Sequence, residues 1–329
     1  MSKIYKTERA SPYFSVVIPV YDEEEHIGSC LQSIFESNYD NTKYEVIVVD
    51  NASRDRSYEI AVSLGRARVF QLLEGNVGAV RNFGAEKARG QILIFIDADC
   101  LIDTDWLNRA EKLINQHPNC TYGGGAKLPD NATWIETSWL LQSNGQPSLP
   151  KHLIGASTMI PKDLFLEVGG FDERISSGED TDLHNRLTSK NIPVFIDHAL
   201  NVTHLGNAKT PLQFIRRQIW HSENYLANIK SSVKDPIFLI TLTFLFFLSF
   251  LAIQAISGAG KSEFLINLSL CALFPALLSC KRIYRSGKLN LTPNVLFQIY
   301  FIDLLYLVGR SAGILRGLSR KLVDFRIVS

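Results

Sequence analysis

Twenty consecutive residues, Ile237–Ile256, carry no charge, and no other stretch narrows the possible folds as much. A bilayer core about 30 Å thick is crossed by ~20 helical residues. Within it every backbone N–H and C=O must pair inside its own segment, so the run is helical. The alternative, a helix buried in a soluble core, rarely needs such a length apolar all round. Phe264–Cys280 is a second uncharged run, of seventeen residues with Pro275 inside it, and only the seven residues SGAGKSE separate the two. The pair reads as a helical hairpin over about 237–256 and 264–280. A third membrane-associated segment, about 293–310, holds Asp303 in its middle and is followed by Arg310, Arg316, Arg320, Lys321 and Arg326. Crossing would place those basic residues outside, against the positive-inside tendency. A helix lying in the cytosolic surface would obey that tendency, but Asn294 and Asp303 fall on opposite sides of it. The sequence therefore allows two spans or three.

Charge divides the chain at the same place. Residues 1–235 hold 24 Lys and Arg against 30 Asp and Glu, and residues 236–329 hold 10 against 3. An acidic front argues against nucleic acid as a partner, because a phosphate backbone needs clustered positive charge. The basic, apolar tail points to membrane lipids instead. We expect a domain over 1–235 and a membrane region over 236–329. The N-terminal MSKIYKTERASPYFS lacks the apolar core of a signal peptide, so the first domain is expected in the cytosol, on a multi-pass anchor in the inner membrane. Lys281, Arg282, Arg285 and Lys288, directly after the second run, give the same orientation. The cysteines Cys30, Cys100, Cys120, Cys271 and Cys280 form no Cys-x-x-Cys pair, and are expected to be reduced and structural.

From Phe14 onward short apolar runs alternate with helical patterns, which predicts an α/β fold around a mostly parallel sheet. Strands are expected at Phe14–Val20, Tyr44–Asp50 and Arg68–Leu73, then at Gln91–Cys100, Tyr122–Lys127, Ile154–Ile160 and Ile192–Asp197. Helices are expected at Glu24–Ser37, Ser57–Leu64, Val77–Ala88, with Gly90 as its C-cap, and Asp105–Gln116. The run QILIFIDADC reads as a strand buried on both faces that ends in Asp97 and Asp99, at the sheet edge where parallel sheets bind ligands. Two carboxylates there suit a hard divalent cation. Equally, they could end a strand and cap the next helix.

Strand one ends in Pro19-Val-Tyr-Asp-Glu-Glu-Glu, whose carboxylates would repel a pyrophosphate. No Gly-x-Gly-x-x-Gly follows an early strand, which counts against a dinucleotide-binding dehydrogenase. Strand two ends in Asp50-Asn-Ala-Ser53. Asp50 could accept from a base N–H, or could form an Asx turn with Ser53 capping the next helix.

Four segments, SVVIPVYDEEEHI, EVIVVDNASRD, GNVGAVRNFGAEKARG and ILIFIDADCLI, occur in this order and spacing. Together they resemble the family 2 glycosyltransferases, over roughly Phe14 to Leu205. The resemblance implies a GT-A-type fold and a nucleotide-diphosphate sugar donor, with a UDP-sugar expected first. Pro19, Tyr21 and Asp50 would line the nucleoside pocket and Arg81 would border the base or diphosphate. Asp97 and Asp99 would form the DxD motif, with Asp99 a direct ligand of Mn2+ or Mg2+. Further on, VGGFDE and SGEDTDL match the family's later segments. By that resemblance Asp180 is the catalytic base, and Glu179 orients the site or contacts the acceptor. Locally, Ser177-x-x-Asp180 is also an N-capping pattern.

His204 and His221 are candidate third metal ligands or diphosphate contacts, although lone histidines are more often neither. Arg217-x-x-Trp220 only loosely resembles the QxxRW motif of processive synthases. Trp139, in the aromatic Trp134–Trp139 loop, is a candidate acceptor contact or part of an ordinary lid. The function expected is inverting transfer of a sugar to a lipid-linked or polysaccharide acceptor in cell-surface glycan synthesis. A polyprenyl-phosphate sugar synthase is the nearest alternative, and a non-catalytic scaffold of this fold is the alternative of another class.

Overall fold

The computed structural model describes residues 13–143, 146–147, 149–175, 177–223, 225–226, 229–258, 260–287 and 291–328. Most of the N-terminal stretch read for a leader lies outside them. In chain order the elements are β1 (Phe14–Val20), α1 (Ile27–Phe35), β2 (Tyr44–Asp50), α2 (Ser57–Ser63), β3 (Arg68–Gln71), α3 (Val77–Lys87), β4 (Ile92–Phe95), β5 (Cys100–Leu101), α4 (Trp106–Gln116), β6 (Thr121–Gly123) and β7 (Ala126–Lys127). They continue as α5 (Trp134–Trp139), β8 (Gln142–Ser143), β9 (Gln146–Pro147), β10 (Thr158–Pro161), α6 (Lys162–Glu167), α7 (Glu179–Ser189), β11 (Val194–Ile196) and β12 (Val202–His204). The helices α8 (Pro211–Ser222), α9 (Ile229–Ser232), α10 (Pro236–Ser257), α11 (Lys261–Ser286) and α12 (Pro293–Val328) follow.

Two compact units result: Met1–Pro129 with Leu149–Gly206, and Asp130–Ser148 with Asn207–Ser329. The contact grouping and the change in composition at Pro236 thus fall at different places, because Ile135 and Phe214 pack into one apolar cluster with Phe244, Leu278 and Ile302.

In the first unit the sheet order is β11-β6-β10-β4-β1-β2-β3. β1, β2, β3 and β4 are parallel neighbours, and β10 runs antiparallel to β4 and β6. Alternating side chains bury both faces, as a sheet sandwiched between helices requires. Val16, Ile18, Val48 and Ile94 pack with Leu31 and Trp106 on one face, and Val17, Val49 and Phe95 with Val80, Phe165 and Phe171 on the other. A smaller sheet, β5-β12-β7, forms beside the end of β4.

Several expected boundaries shift for local reasons. α1 begins at Ile27 rather than Glu24, since Glu24 turns outward to accept from the Arg56 amide and to donate its own amide to Asp55. The glycine-rich strand expected over Tyr122–Lys127 splits into β6 and β7, which join different sheets. Gly90 does not cap α3: Ala88 closes that helix in an extended conformation. A Cβ on Gly90 would stand 2.7 Å from the Phe14 carbonyl carbon, so its absence lets the chain pass against β1. The stretch Ile154–Ser157, expected as strand, is a turn closed by the Ser157 amide on the Ile154 carbonyl at 3.1 Å.

In the second unit, three helices among the described residues are long and apolar enough to cross a membrane: Pro236–Ser257, Lys261–Ser286 and Pro293–Ser319. The α10–α11 hairpin forms as expected, with Pro275 inside α11. Asp303 is buried, and accepts from Ser279 at 2.7 Å and from Arg282 at 2.9 Å.

Candidate active site

Parallel pairing brings the site together. Val20 pairs with Asp50 and Val17 with Phe95, so β1, β2 and β4 release their loops at one edge. Two of these loops interlock. Asp22 accepts from the Arg54 amide at 2.7 Å and from its guanidinium, and the Glu23 amide donates to Ser57 at 2.7 Å. Asp22 and Ala52 take positive φ, 53° and 55°, a conformation that costs a non-glycine residue about 1 kcal/mol or more. The acidic turn is therefore not a solvated run of like charges. Asp22 and Glu24 pair with Arg54 and Arg56, while Glu23 bonds His26 at 3.0 Å.

At the end of β2, Asp50 is fully buried. One carboxylate oxygen accepts from the Ser53 amide at 3.2 Å and from Gln71 at 3.5 Å, while the other, Oδ1, has no hydrogen-bond partner. The Asx-type turn is thus real, but it uses only half of the carboxylate. Ser53 does not cap α2; its hydroxyl accepts from the Asp22 amide at 3.1 Å. Pro19 is half-buried, and Tyr21 is 51% exposed beneath the Arg54 guanidinium.

Arg81 is the centre of the arrangement. α3 lies close on the sheet because a Cβ at Gly84 would overlap Val17, and one turn earlier Arg81 reaches over the edge. It is 3% exposed and donates to Asp97 Oδ1 and to Glu179 Oε1, both at 2.6 Å. Burial disfavours its charge, yet the two carboxylates outweigh that and raise its pKa. The next residue, Asn82, exchanges hydrogen bonds of 2.9 Å with the Phe171 backbone, and so ties α3 to the GGFDE loop.

β4 ends at Phe95, so Asp97 and Asp99 lie in a turn closed by the Cys100 amide on the Asp97 carbonyl at 3.0 Å. The turn points the two acids apart. Asp97 goes to Arg81, and Asp99 lies 3.4 Å from His204 Nε2 on β12. Ligand atoms of Asp99, Cys100 and His204 fall within 4.8 Å of one another. Burial, then Asp99 and Asp97, push the Cys100 thiol well above its ordinary value. The carboxylate of Asp99 suits a hard divalent cation such as Mn2+ or Mg2+, with the His204 imidazole beside it. Space is kept for them by Gly206, where a Cβ would overlap the Asp99 carboxylate.

On the other flank, antiparallel β10 starts where β4 ends, with Thr158 opposite Phe95. Its lead-in therefore sits at the same edge. The Gly155 amide donates to Asp180 Oδ2 at 3.1 Å, and the Thr181 amide donates to Oδ1 at 2.6 Å. A Cβ on Gly155 would overlap the Arg81 guanidinium. Gly178, with φ of 89°, starts α7, so Ser177 makes no side-chain cap and the acids of the first turn face the positive helix end.

The structure thus gathers Asp97, Asp99, Arg81, Glu179, Asp180 and His204, with Asp50 and Tyr21 along the same strand ends. Trp139 belongs to the second unit, where it stacks on Tyr306 with centroids 5.2 Å apart and lies under Arg282. Trp220 and His221 lie on α8 in that unit as well. Sequence reading missed Glu23, Gly155 and Gly206. Burial, then Asp99, raises the pKa of Glu23, with His26 opposing, so its charge bears on the pair Asp97 and Asp99. Gly155 and Gly206 had no signal beyond being glycines next to a strand.

Comparison with known proteins bears on the family and the fold. A family model described as Glycosyl transferase family 2 matches residues 15–161. Glycosyltransferase AglE of Haloferax volcanii is 30% identical over 200 residues, covering 57% of this chain and 65% of the relative. Poly(ribitol-phosphate) beta-N-acetylglucosaminyltransferase TarS of Staphylococcus aureus is 32% identical over 109 residues, 32% of this chain and 19% of the relative. The matched stretch spans less than two thirds of either relative. Mannosyltransferase PcManGT from Pyrobaculum calidifontis, solved with GDP-Man and Mn2+, superposes with a TM-score of 0.56 at 17% identity, covering 93% of this chain and 87% of that one, a likeness of fold. Residues 15–161 thus match glycosyl transferase family 2, and the fold is of GT-A type.

Proposed function

We propose that this chain is a membrane-anchored, metal-dependent, inverting glycosyltransferase that moves a sugar from a nucleotide diphosphate to a lipid-linked or polysaccharide acceptor. Residues 1–235 would form the cytosolic transferase domain and 236–329 the membrane region. The observation that carries this reading is the set of acids at one sheet edge, in which Asp97 is held by Arg81 and Asp99 by His204.

Asp50 Oδ1, buried without a partner, would accept from the nucleobase, with Pro19 and Tyr21 beside it. Asp99 and His204, with Asp97 beside them, would hold Mn2+ or Mg2+, which supplies Lewis-acid stabilisation of a diphosphate leaving group. Arg81 would fix Asp97 and Glu179 and place a positive charge near that diphosphate. Asp180 would take the proton as the acceptor hydroxyl oxygen bonds to C1 and the bond from C1 to the diphosphate breaks on the opposite face. Its two amide partners fix the plane of the carboxylate for that purpose. Glu179 would orient the site through Arg81. GDP-Man and Mn2+ in the structural neighbour lend support to the donor class and cofactor.

Purified protein with Mn2+ and a panel of UDP-, GDP- and dTDP-sugars should release nucleotide diphosphate only when a polyprenyl-linked or glycan acceptor is added. Release from no member of the panel would refute the proposal.

A further inference from the structure

α12 is long and apolar enough to cross a membrane, yet its neighbours are the wrong ones for a helix that crosses. We infer that α12 does not span: it stays on the side from which α10 starts, called proximal here, so that the anchor is the α10–α11 hairpin alone. The inference rests on the membrane reading of α10 and α11 and goes beyond it, by deciding the third segment and the side of the C-terminal helix end.

Among the elements of the second unit, α5 and α8 precede α10 and are therefore proximal. The stretch from Asn207 to Asp235 contains Lys209, Arg216, Arg217, Glu223, Lys230 and Lys234, and no run in it could carry α8 through hydrocarbon. α12 runs along both elements. Trp139 of α5 stacks on Tyr306 at 5.2 Å, and Trp134 meets Phe301 at 6.3 Å.

Further along α12, the line Gly309, Gly313 and Gly317 lies against α8. A Cβ on Gly309 would stand 2.7 Å from Gln218 Cβ, one on Gly313 would overlap Ser222 Oγ and the Ile219 carbonyl, and one on Gly317 would overlap the Glu223 carbonyl. Polar contacts extend the same seam. Arg310 donates to the Tyr225 hydroxyl at 2.6 Å and to Gln218 at 3.3 Å, and Arg316 pairs with Glu223 at 2.8 Å.

The geometry then decides. Contacts with proximal elements recur from Phe301 to Gly317, leaving eight residues of the helix, Pro293–Tyr300, before the first of them. At ~1.5 Å per residue these cover about 12 Å, against the ~30 Å of a bilayer core. A crossing α12 would instead carry Gly313 and Gly317 to the far side, away from Ser222 and Glu223. Burial agrees: 39% of the apolar window of α12 is covered by protein, against 17% for α10 and 28% for α11. The charge rule is satisfied too, since Arg310, Arg316, Arg320, Lys321 and Arg326 then share a side with Lys281, Arg282 and Arg285. Asp303 meets Arg282 and Ser279 instead of lipid.

Single cysteines introduced at exposed Ser63, Ser257 and Ser319, in a Cys280→Ser background, test this with a membrane-impermeant maleimide on sealed vesicles of both orientations. Ser257→Cys lies at the end of α10 that leads into the α10–α11 link. We expect it to label from one face only, and Ser63→Cys and Ser319→Cys to label only from the other. Ser319→Cys labelling together with Ser257→Cys would establish a third span and overturn the inference. Ser257→Cys labelling together with Ser63→Cys would show that the hairpin does not cross, refuting the membrane reading on which the inference stands.

Discussion

Arg81 and Arg282 are arginines held by carboxylates, one in each unit, and they differ in how their charge is balanced. Arg282 faces one carboxylate, Asp303, and spends its remaining donors on the neutral carbonyls of Ser138 and Trp139. One positive charge meets one negative charge, through four hydrogen bonds. Arg81 faces two carboxylates, Asp97 and Glu179, with Asp99 and Glu23 close enough for burial and mutual repulsion to raise the pKa of Glu23. That edge carries surplus negative charge. A balanced buried pair is a structural device, whereas an unbalanced one calls for a cation from outside.

The contrast can be broken by substitution. Asp180→Asn should reduce transfer by about 10²–10⁴ if the carboxylate takes the acceptor proton. A separate stability loss of about 1–3 kcal/mol should accompany it, because the new amide nitrogen cannot accept and the Gly155 and Thr181 amides bond different carboxylate oxygens. Initial rates alongside thermal unfolding check both halves. If transfer persists nearly intact, an already ionised lipid phosphate becomes the better acceptor.

Arg282→Met should destabilise the second unit by about 3–5 kcal/mol, since it leaves Asp303 buried without a counter-charge. The double variant Arg282→Met/Asp303→Leu should recover most of that loss. Detergent-solubilised protein followed by urea or thermal unfolding reads the difference, and equal loss in both variants would mean that the pair is not the source.

The surplus charge predicts a response to divalent ions. Mn2+ at about 100 times its dissociation constant should stabilise the wild-type fold by ~2.7 kcal/mol, and Asp99→Asn should remove the effect, whereas Arg282→Met should keep it. Gly155→Ala tests the packing around Arg81. Its new methyl must displace the guanidinium, at an overpacking cost of about 1–3 kcal/mol, with a loss of turnover larger than that of an alanine placed at Gly260, which has open space and an ordinary φ of -56°.

The smallest effect concerns Glu23. Its folded pKa lies above the unfolded value, so between the two the native state binds more protons than the unfolded state, and stability falls as pH rises. Glu23→Gln should therefore gain on the wild type as pH climbs from about 4.5 through the raised pKa in the absence of divalent ions, and lose that advantage once Mn2+ is added. A stability difference independent of pH would remove Glu23 from the charge surplus.

Much of this was legible in the sequence. β1 and β2 run as expected, because seven-residue Val/Ile-rich runs buried on both faces leave little freedom. The hairpin and the acidic edge were legible too. The split between Asp97 and Asp99 was not, since it depends on a turn that closes after Phe95 and on Arg81 and His204 arriving from distant segments. Nor could the role of Gly155 be read, because only tertiary packing places the Arg81 guanidinium against it.

By itself, the sequence determined the alternation of strands and helices, the acids at the strand ends and the apolar hairpin. All of these follow from periodicity and transfer free energy, which act locally along the chain. Tertiary structure alone decided which acid pairs with which cation, and that α12 lies along α5 and α8. Both outcomes depend on close approach between residues far apart in the chain, and such approach is set by packing that no local pattern encodes.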